Sequence, residues 1–257
     1  MKTINYLIIS SILLFSCSSE KSDSGGGESG LGGSMARFAI SGNALFTVST
    51  DTMKIFNIED AANPKHYPDR DIYLGFDIET VFPMDTLLFI GSRSGMLMYD
   101  IRDPRFPTKL SSVSHIRSCD PVVAYENYAY VTLNTNFSSC GASPNNILEI
   151  YNVSNPFQPV RERTIQLTGP TGLGIDGQSK RLFVCDRGLK VFDITDPVMI
   201  RQIDDLAEID EVNVREAYDV IPVKELSLLI LVAKEGLFQF DYSGERLKFL
   251  SKIEIKK

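Results

Sequence analysis

The amino-acid sequence predicts an all-β protein, a β-propeller made of four-stranded antiparallel blades. Two observations lead to this prediction. A nine-residue pattern occurs five times at the spacing of propeller repeats, and apolar residues within it alternate with a period of two. The pattern is clearest in LKVFDITDP, which begins at Leu189, and variants of it begin at Met53, Met96, Leu148 and Leu237.

The five copies align on one aromatic residue each. Consecutive aromatics are separated by 43, 52, 41 and 48 residues, which is typical of solenoid and propeller repeats. Each unit has two short runs rich in β-branched and aromatic residues before the copy, and one after it. Four strands leave no room for a helix of normal length, so helical HEAT-type repeats are excluded. The aligned aromatics are Phe56, Tyr99, Tyr151, Phe192 and Phe240.

The fourth copy indicates why the units must stack on one another. Along this strand, Leu189, Val191 and Asp193 lie on one face of the sheet, and Lys190, Phe192 and Ile194 lie on the other. Both faces are mostly apolar, so both need a cover. Stacking identical meanders radially covers them, and this arrangement is a propeller. The Asp or Asn after the aromatic is predicted to cap a turn, and the proline beyond it to end the strand.

One propeller domain is predicted over residues 35–257. Five copies in this length favour five blades, and a divergent sixth blade stays open as an alternative. The last unit supplies its own fourth strand, so we expect the ring to close by packing of the fifth blade on the first.

The repeats resemble those of the LVIVD family, β-propellers common in lipoproteins of Bacteroidetes-type bacteria. The resemblance rests on LKVFDITDP and on the strand ENYAYV at residues 126–131, and it covers about residues 36–255. It departs from the family pattern in the fifth unit, where FDYSG replaces the Asp-Ile-x-Asp-Pro ending. The family implies a fold and no defined activity.

Residues 1–17 are predicted to be a signal peptide. A basic residue, Lys2, precedes an apolar run that is too short to span a bilayer. LFSC, which ends at Cys17, resembles the lipobox of bacterial lipoproteins, and this resemblance implies cleavage before Cys17 and its acylation, palmitate included. Ser18 implies sorting to the outer membrane. The alternatives are an ordinary secretory signal and a membrane-anchored N-terminus.

Residues 18–34 consist almost entirely of Ser, Gly and charged residues, so they predict a flexible tether. Random-coil scaling gives this tether a reach of about 20–25 Å. The net charge of the whole chain is −7 and no basic block occurs, which argues against a nucleic-acid partner. The predicted partner is another envelope protein or a glycan, at one face of the propeller.

No catalytic motif is recognisable. The two histidines, His66 and His115, fall in different units, and no nucleophile elbow, P-loop, HExxH or dinucleotide fingerprint occurs. We therefore predict a binding or scaffold module with no catalytic residue and no organic cofactor. The competing hypothesis is an envelope hydrolase or lyase with an acid/base or metal site at the mouth of the central channel.

Three aspartates precede or begin the predicted inner strands: Asp77, Asp120 and Asp219. Carboxylates arranged around a propeller axis suit Ca²⁺ or Mg²⁺, which prefer oxygen ligands. The alternative is a structural role in which each aspartate caps the loop into the inner strand, with its charge neutralised by a nearby arginine. The candidate arginines are Arg37, Arg117 and Arg215, and unit four has Thr171 in place of an aspartate.

Residues 134–146 form an insertion in the third unit, and loops on rigid folds frequently carry function. Phe137 is a candidate contact residue there, or it packs on its own blade. In an oxidising compartment one cysteine pair is expected to bridge, and Cys119–Cys140 is the predicted pair because both lie in or near this irregular segment. Three unpaired thiols, with Cys185 as the third, are the alternative.

Overall fold

The computed structural model describes residues 34–75, 77–114, 121–136, 146–206, 212 and 214–255. The predictions for Cys17, His115, Arg117, Cys119, Asp120, Phe137 and Cys140 lie outside these residues. Within the described ranges no helix is long and apolar enough to cross a membrane.

The chain forms five antiparallel sheets in sequence order, which confirms the predicted all-β propeller. Blade 1 contains β1 (Phe38–Ser41), β2 (Ala44–Val48), β3 (Thr52–Asn57), β4 (Lys65–His66) and β5 (Ile72–Tyr73). Blade 2 contains β6 (Ile78–Met84), β7 (Leu87–Ser92), β8 (Gly95–Asp100) and β9 (Thr108–Ser114). Blade 3 contains β10 (Val122–Tyr125), β11 (Tyr128–Leu133), β12 (Ile147–Asn152) and β13 (Val160–Gln166).

Blade 4 contains β14 (Pro170–Asp176), β15 (Arg181–Asp186), β16 (Gly188–Asp193) and β17 (Arg201–Asp205). Blade 5 contains β18 (Ala217–Val223), β19 (Leu228–Ala233), β20 (Gly236–Asp241) and β21 (Lys248–Ile253). Short 3₁₀ turns at Pro68–Arg70 and Lys224–Leu226 interrupt blades 1 and 5. In every blade the third strand carries the repeated pattern.

The outer edge of blade 1 differs from the single fourth strand of the other four blades. It is split into two pieces: β4 pairs with the end of β3, and β5 pairs with its beginning. The 3₁₀ turn between them begins with Pro68, whose ring cannot donate a ladder hydrogen bond.

The residue after each aligned aromatic caps a turn, as predicted. In all five blades its side-chain oxygen accepts a hydrogen bond from the backbone N–H two residues later, at distances of 2.8–3.0 Å. This is the Asx-turn geometry that ends a strand without an unpaired backbone donor. The capping residues are Asn57, Asp100, Asn152, Asp193 and Asp241. The Asp or Asn that follows the aromatic in each copy of the repeat therefore forms the same turn in every blade.

The third strand also follows one rule for packing between blades. The aligned aromatic packs on the preceding blade, as Tyr99 does on blade 1 and Phe240 on blade 4. The residue before the aromatic packs on the following blade, as Ile55 does on blade 2 and Val191 on blade 5. Each central blade is thus covered on both faces, which agrees with the predicted two-sided apolar character.

Blades 1 and 5 are covered on one face only. In the central blades almost every residue of β7, β11 and β15 is buried, whereas burial alternates residue by residue along β2, β19 and β20. The inner strands pack in the order β1, β6, β10, β14, β18, and within the described residues β18 makes no comparable contact with β1. The expected closure by blade packing is therefore not present.

The sequence of blade 5 explains why the face that points away from blade 4 stays uncovered. The position before the aromatic is apolar in the first four units, but it is Gln239 in the fifth, where the side-chain oxygen accepts a hydrogen bond from Ser251 at 2.8 Å. A polar residue bound within its own blade does not favour packing by another sheet. On blade 1, the aligned aromatic Phe56 lies on the face that no preceding blade covers. Its ring contacts that of His66 in a tilted arrangement, with 4.9 Å between the ring centroids.

Candidate functional site

Residues 34–37, which we call the leading segment, lie across the mouth of the central channel. The hydroxyl of Ser34 accepts a hydrogen bond from the backbone N–H of Leu173 at 2.5 Å and donates to the carboxylate of Asp219 at 3.2 Å. Two residues later, the carbonyl of Ala36 accepts from the N–H of Val81 at 3.0 Å. The segment therefore reaches from blades 4 and 5 to blade 2 before it enters β1.

A cavity of about 220 Å³ lies beside the leading segment. Residues from blades 2, 3 and 4 form its other walls, so it sits where several inner strands begin. We call it the channel-mouth cavity. Its lining residues are Met35, Arg37, Glu79, Thr80, Pro121, Asn134, Pro170 and Thr171.

Thr80 and Asn134 are buried polar residues of this cavity. The relative exposure of Thr80 is 2%, and its hydroxyl has no hydrogen-bond partner among the described residues. A buried hydroxyl without a partner costs on the order of 1–3 kcal/mol. The hydroxyl oxygen is also closed to solvent, so a molecule in the cavity does not reach it and this cost belongs to the fold.

The two arginines near the cavity have different surroundings. Arg93 donates to Glu79 at 2.9 Å and lies 3.7 Å from Asp77, and its hydrogen bond to Glu79 raises the pKa of the guanidinium. Arg37 lines the cavity and is exposed, and its side chain makes no ion pair or hydrogen bond within the described part of the chain. Arg37 is therefore the charge at the cavity that is available to a ligand.

The remaining polar wall is already engaged. The side-chain amide of Asn134 donates to the carbonyl of Pro170 at 2.5 Å, and its oxygen accepts from the N–H of Asn136 at 2.9 Å. The hydroxyl of Thr171 donates to the carbonyl of Ala217 at 2.8 Å. These bonds hold blades 3, 4 and 5 together around the mouth and position the cavity walls.

The structure separates two of the predicted aspartates. Asp77 comes just before β6, whereas Asp219 is the third residue of β18. By strand pairing the counterpart of Asp219 in blade 2 is Thr80, since Asp219 pairs with the fifth residue of β19 and Thr80 with the fifth residue of β7. Asp77 instead carries a left-handed backbone conformation, with φ at 60°.

Asp219 is largely buried between blades 4 and 5. Burial raises the pKa of its carboxyl to about 6, and hydrogen bonds from Val220 and Ser34 offset part of this shift. The neighbouring thiol of Cys185 is fully buried and unpaired, and burial raises its pKa well above the ordinary value.

The predicted Ca²⁺ or Mg²⁺ site stays a prediction. Among the described residues no group of three or more His, Cys, Asp or Glu side chains is arranged to hold a metal ion, and Asp120 lies outside them. His66, the described histidine, lies on the outer edge of blade 1, where its ring contacts the carboxylate of Asp71 at 2.7 Å. It is remote from the channel-mouth cavity in the fold.

No protein-family model matches this sequence, and no curated protein matches it. Several solved structures match it in fold. AztD from Citrobacter koseri superimposes with a TM-score of 0.58 at 12% identity, over 81% of this chain and 58% of that one. The periplasmic gluconolactonase PpgL of Pseudomonas aeruginosa gives 0.59 at 13% identity, over 83% and 68% of the two chains. A protein from Lactobacillus plantarum gives 0.63 at 9% identity, over 83% and 69%.

These likenesses establish the β-propeller fold. The chain spans less than two thirds of the length of AztD, so five blades match part of a longer structure. Identities this low carry no residue-level correspondence, and the LVIVD resemblance stays a prediction.

Sequence reasoning missed Thr80 as a cavity residue and treated Arg37 only as a neutralising charge, whereas Thr171, named at the equivalent position of unit four, does line the cavity. One signal was present: Thr80 and Glu79 interrupt the otherwise apolar strand IETVFPM. The cavity itself had no such signal, because the leading segment and three blades contribute to it and their proximity depends on how the inner strands are arranged around the channel.

Proposed function

We propose that this protein is a lipid-anchored β-propeller of the outer membrane, of LVIVD type, that binds an envelope glycan or protein without catalysis. The observation that supports binding is the channel-mouth cavity, where the exposed guanidinium of Arg37 lacks a partner among the described residues. Anchoring rests on the Cys17 lipobox and on the tether at residues 18–34.

The cavity suits ligand recognition because its walls are rigid and few of its polar groups lack a hydrogen-bond partner. Pro121 and Pro170 are both buried, and the amide of Asn134 ties blade 3 to blade 4. Rigid walls lose little conformational entropy when a ligand binds. Small ligand sites generally combine an apolar lining with a few placed polar groups, and this cavity has that composition.

The test blocks the cavity without touching the fold. Met35 lines the cavity and its relative exposure is 52%, so Met35→Trp should fill the mouth while leaving the core unchanged. The matched control is Met199→Trp, because Met199 is 65% exposed on the outer part of blade 4. Binding of mono- and disaccharides and short peptides to the detergent-solubilised full chain would be followed by saturation-transfer NMR.

We expect at least one saccharide or peptide of the panel to bind the wild type and the Met199→Trp variant and to lose its signal with Met35→Trp. Binding that Met35→Trp leaves intact, or no binding by any member of the panel, would refute the channel-mouth cavity as the binding site.

A lactone hydrolase is the second candidate, and the structural likeness to a gluconolactonase favours it. Hydrolysis of glucono-1,5-lactone would be measured with the wild type and with Met35→Trp. Turnover that disappears in the blocked variant would support catalysis at the channel mouth and would contradict the non-catalytic proposal.

A further inference from the structure

We propose that β21, the outer strand of blade 5, pairs edge to edge with β21 of a second copy of this chain, antiparallel about a two-fold axis at Ile253. Blade 5 of each copy contributes four strands, so the pair forms one continuous sheet of eight. This surface is separate from the channel-mouth cavity, which lies among the inner strands, and the inference does not depend on the proposed function.

The outer edge of β21 is free to pair. The strand pairs with β20 on one side, and no further backbone hydrogen bond joins it to the described residues. An edge with unpaired N–H and C=O groups is a template for a strand of another chain. β21 differs from the outer strands of blades 2 to 4 in its side chains. It exposes three large apolar residues, Phe249, Leu250 and Ile253, whereas β13 exposes one and β9 and β17 expose none.

A bulge limits the part of this edge that can pair. Phe240 pairs with Phe249 and Gln239 pairs with Ser251, so Leu250 is the extra residue of the bulge. A bulge locally disrupts the ladder, and proteins use it to protect sheet edges. The stretch that is available for pairing is therefore residues 251–255, and its last two residues lengthen β21 when the second copy binds.

Charge selects one register within this stretch. The axis could pass through Lys252, Ile253 or Glu254 and keep pairs on both sides within residues 251–255. An axis at Lys252 sets two ammonium groups opposite each other, and an axis at Glu254 sets two carboxylates opposite each other, which is unfavourable. An axis at Ile253 instead sets Lys252 of each copy opposite Glu254 of the other copy. A lysine on an edge normally opposes pairing, but here its opposite residue is acidic.

The selected register also covers apolar surface. Ile253 is 60% exposed and pairs with Leu237, so it lies on the face of blade 5 that no other blade covers. Side chains directly opposite each other have Cβ atoms about 4.5–5.5 Å apart, so the Ile253 side chains of the two copies contact each other. Within one copy, Lys252 lies 3.6 Å from Glu254 in an exposed ion pair, and such pairs contribute little. Exchanging this pair for two pairs between copies therefore loses little.

The interface is small, and its size sets the expected strength. Five residues from each copy are far fewer than the roughly 20–30 residues a side of a standard stable interface. We therefore expect a dimer that dissociates on dilution rather than a permanent one.

A charge exchange tests the pairing. Sedimentation velocity on the full chain, in detergent with micelles in molar excess, would measure the dimer dissociation constant. Lys252→Glu and Glu254→Lys should each weaken the dimer at least tenfold, since each variant sets like charges opposite each other twice. The double variant restores opposite charges and should return the constant to near the wild-type value. Lys109→Glu, at an exposed position of β9, is the control and should change nothing.

A cysteine pair tests the register. In the proposed dimer Ile253 lies opposite its own copy, and opposite Cα atoms are about 4.5–5.5 Å apart, within the range of a disulfide. Ile255 is four residues from its own copy along the strand, or about 14 Å at 3.4 Å per residue. Both side chains are similarly exposed, at 60% and 61%. Mild oxidation should therefore cross-link Ile253→Cys, while Ile255→Cys should show only the background of the native cysteines.

Three outcomes would overturn this inference. A wild type that stays monomeric at every concentration tested excludes the dimer. A dimer that the single charge variants do not weaken, or that the double variant does not restore, forms through another surface. Cross-linking of Ile255→Cys as efficient as that of Ile253→Cys contradicts the axis at Ile253. None of these results bears on ligand binding at the channel-mouth cavity.

Discussion

At the scale of single residues, the same side-chain chemistry has different roles in different blades. The Asx turns after the aligned aromatics use carboxylates and amides as caps at the surface. Asp186, in contrast, is buried and accepts hydrogen bonds from the N–H groups of Thr168 and Gly169 at 2.9 and 2.6 Å, with Lys190 at 3.3 Å. The charge of this buried acid is balanced by Lys190 and by the two N–H donors, as burial of charge requires.

Asp219 is the acid whose burial has a measurable pH signature. Its pKa is raised from 3.8 to about 6, so the folded state binds this proton more tightly than the unfolded chain does. The associated stabilisation is complete below about pH 4 and is lost as the pH rises through about 6. It amounts to no more than about 3 kcal/mol.

We therefore expect Asp219→Asn to flatten the change in unfolding free energy between pH 5 and pH 7.5, measured by urea denaturation. Asp85→Asn, in the exposed turn after β6, is the control for loss of one carboxylate and should retain the wild-type profile. A profile that Asp219→Asn leaves unaltered would show that this carboxyl does not titrate as its burial predicts.

At the scale of elements, blade 4 and blade 5 approach each other through glycine. A Cβ added at Gly172 would lie 2.6 Å from both the Cα of Asp219 and the carbonyl oxygen of Tyr218. These are backbone atoms, so the neighbouring strand would have to move. β14 and β18 can therefore pack this closely only because residue 172 has no side chain.

Gly172→Ala is expected to lower the unfolding free energy by about 1–3 kcal/mol through this overlap. Gly244→Ala is the control, since the nearest atom to its added Cβ lies 3.8 Å away. Chemical denaturation of the two variants measures the difference. Equal stability of both variants would contradict the close approach of β14 and β18.

The one-sided cover of blade 5 leads to a prediction for two neighbouring residues of β19. Leu231 is 0% exposed and packs towards blade 4, whereas Ile230 points to the uncovered face. Leu231→Ala should cost about 2–5 kcal/mol because it leaves a cavity. Ile230→Ala should cost about 1 kcal/mol, in proportion to its smaller buried area. Similar losses for both variants would mean that a further surface covers Ile230.

At the scale of the whole molecule, the described residues of the five blades form an arc, and the inner strands at its two ends do not pack on each other as neighbouring blades do. Three hydrophobic clusters join blades 1 and 2, blades 2 to 4, and blades 4 and 5. Between blade 5 and the chain that enters blade 1, the described hydrogen bonds converge on Asp219, which accepts from the hydroxyl of Ser34 at 3.2 Å and from backbone groups of Ser34 and Met35.

Local stability should follow this arrangement. Backbone amides of the central blades should resist hydrogen exchange longer than those of blades 1 and 5, since opening a strand with two covered faces exposes more apolar surface. Exchange followed by mass spectrometry on the full chain would compare peptides from β7, β11 and β15 with peptides from β2 and β19. Uniform protection over all five blades would indicate that the ends of the arc are covered in solution.

The sequence by itself determined the repeat, the antiparallel meander of each blade and the two-sided apolar character of the central blades, because these depend on local alternation and on turn residues such as Asp193 and Pro197. It also placed Asp77 and Asp219 near the start of inner strands. The register within those strands was beyond it, because four residues connect β18 to β19 whereas two connect β6 to β7, and this difference in length offsets Asp77 from Asp219.

Only the tertiary structure decided where the arc ends and what its mouth contains. The gap depends on how far each blade rotates from the last, and this angle is the sum of many contacts between blades rather than a property of any one of them. The cavity beside Arg37 and Thr80 depends in turn on the leading segment crossing to Leu173, a hydrogen bond between residues 139 positions apart. Long-range contacts of this kind leave no periodic signal in the sequence, because they form and stabilise the protein only when the whole chain has folded.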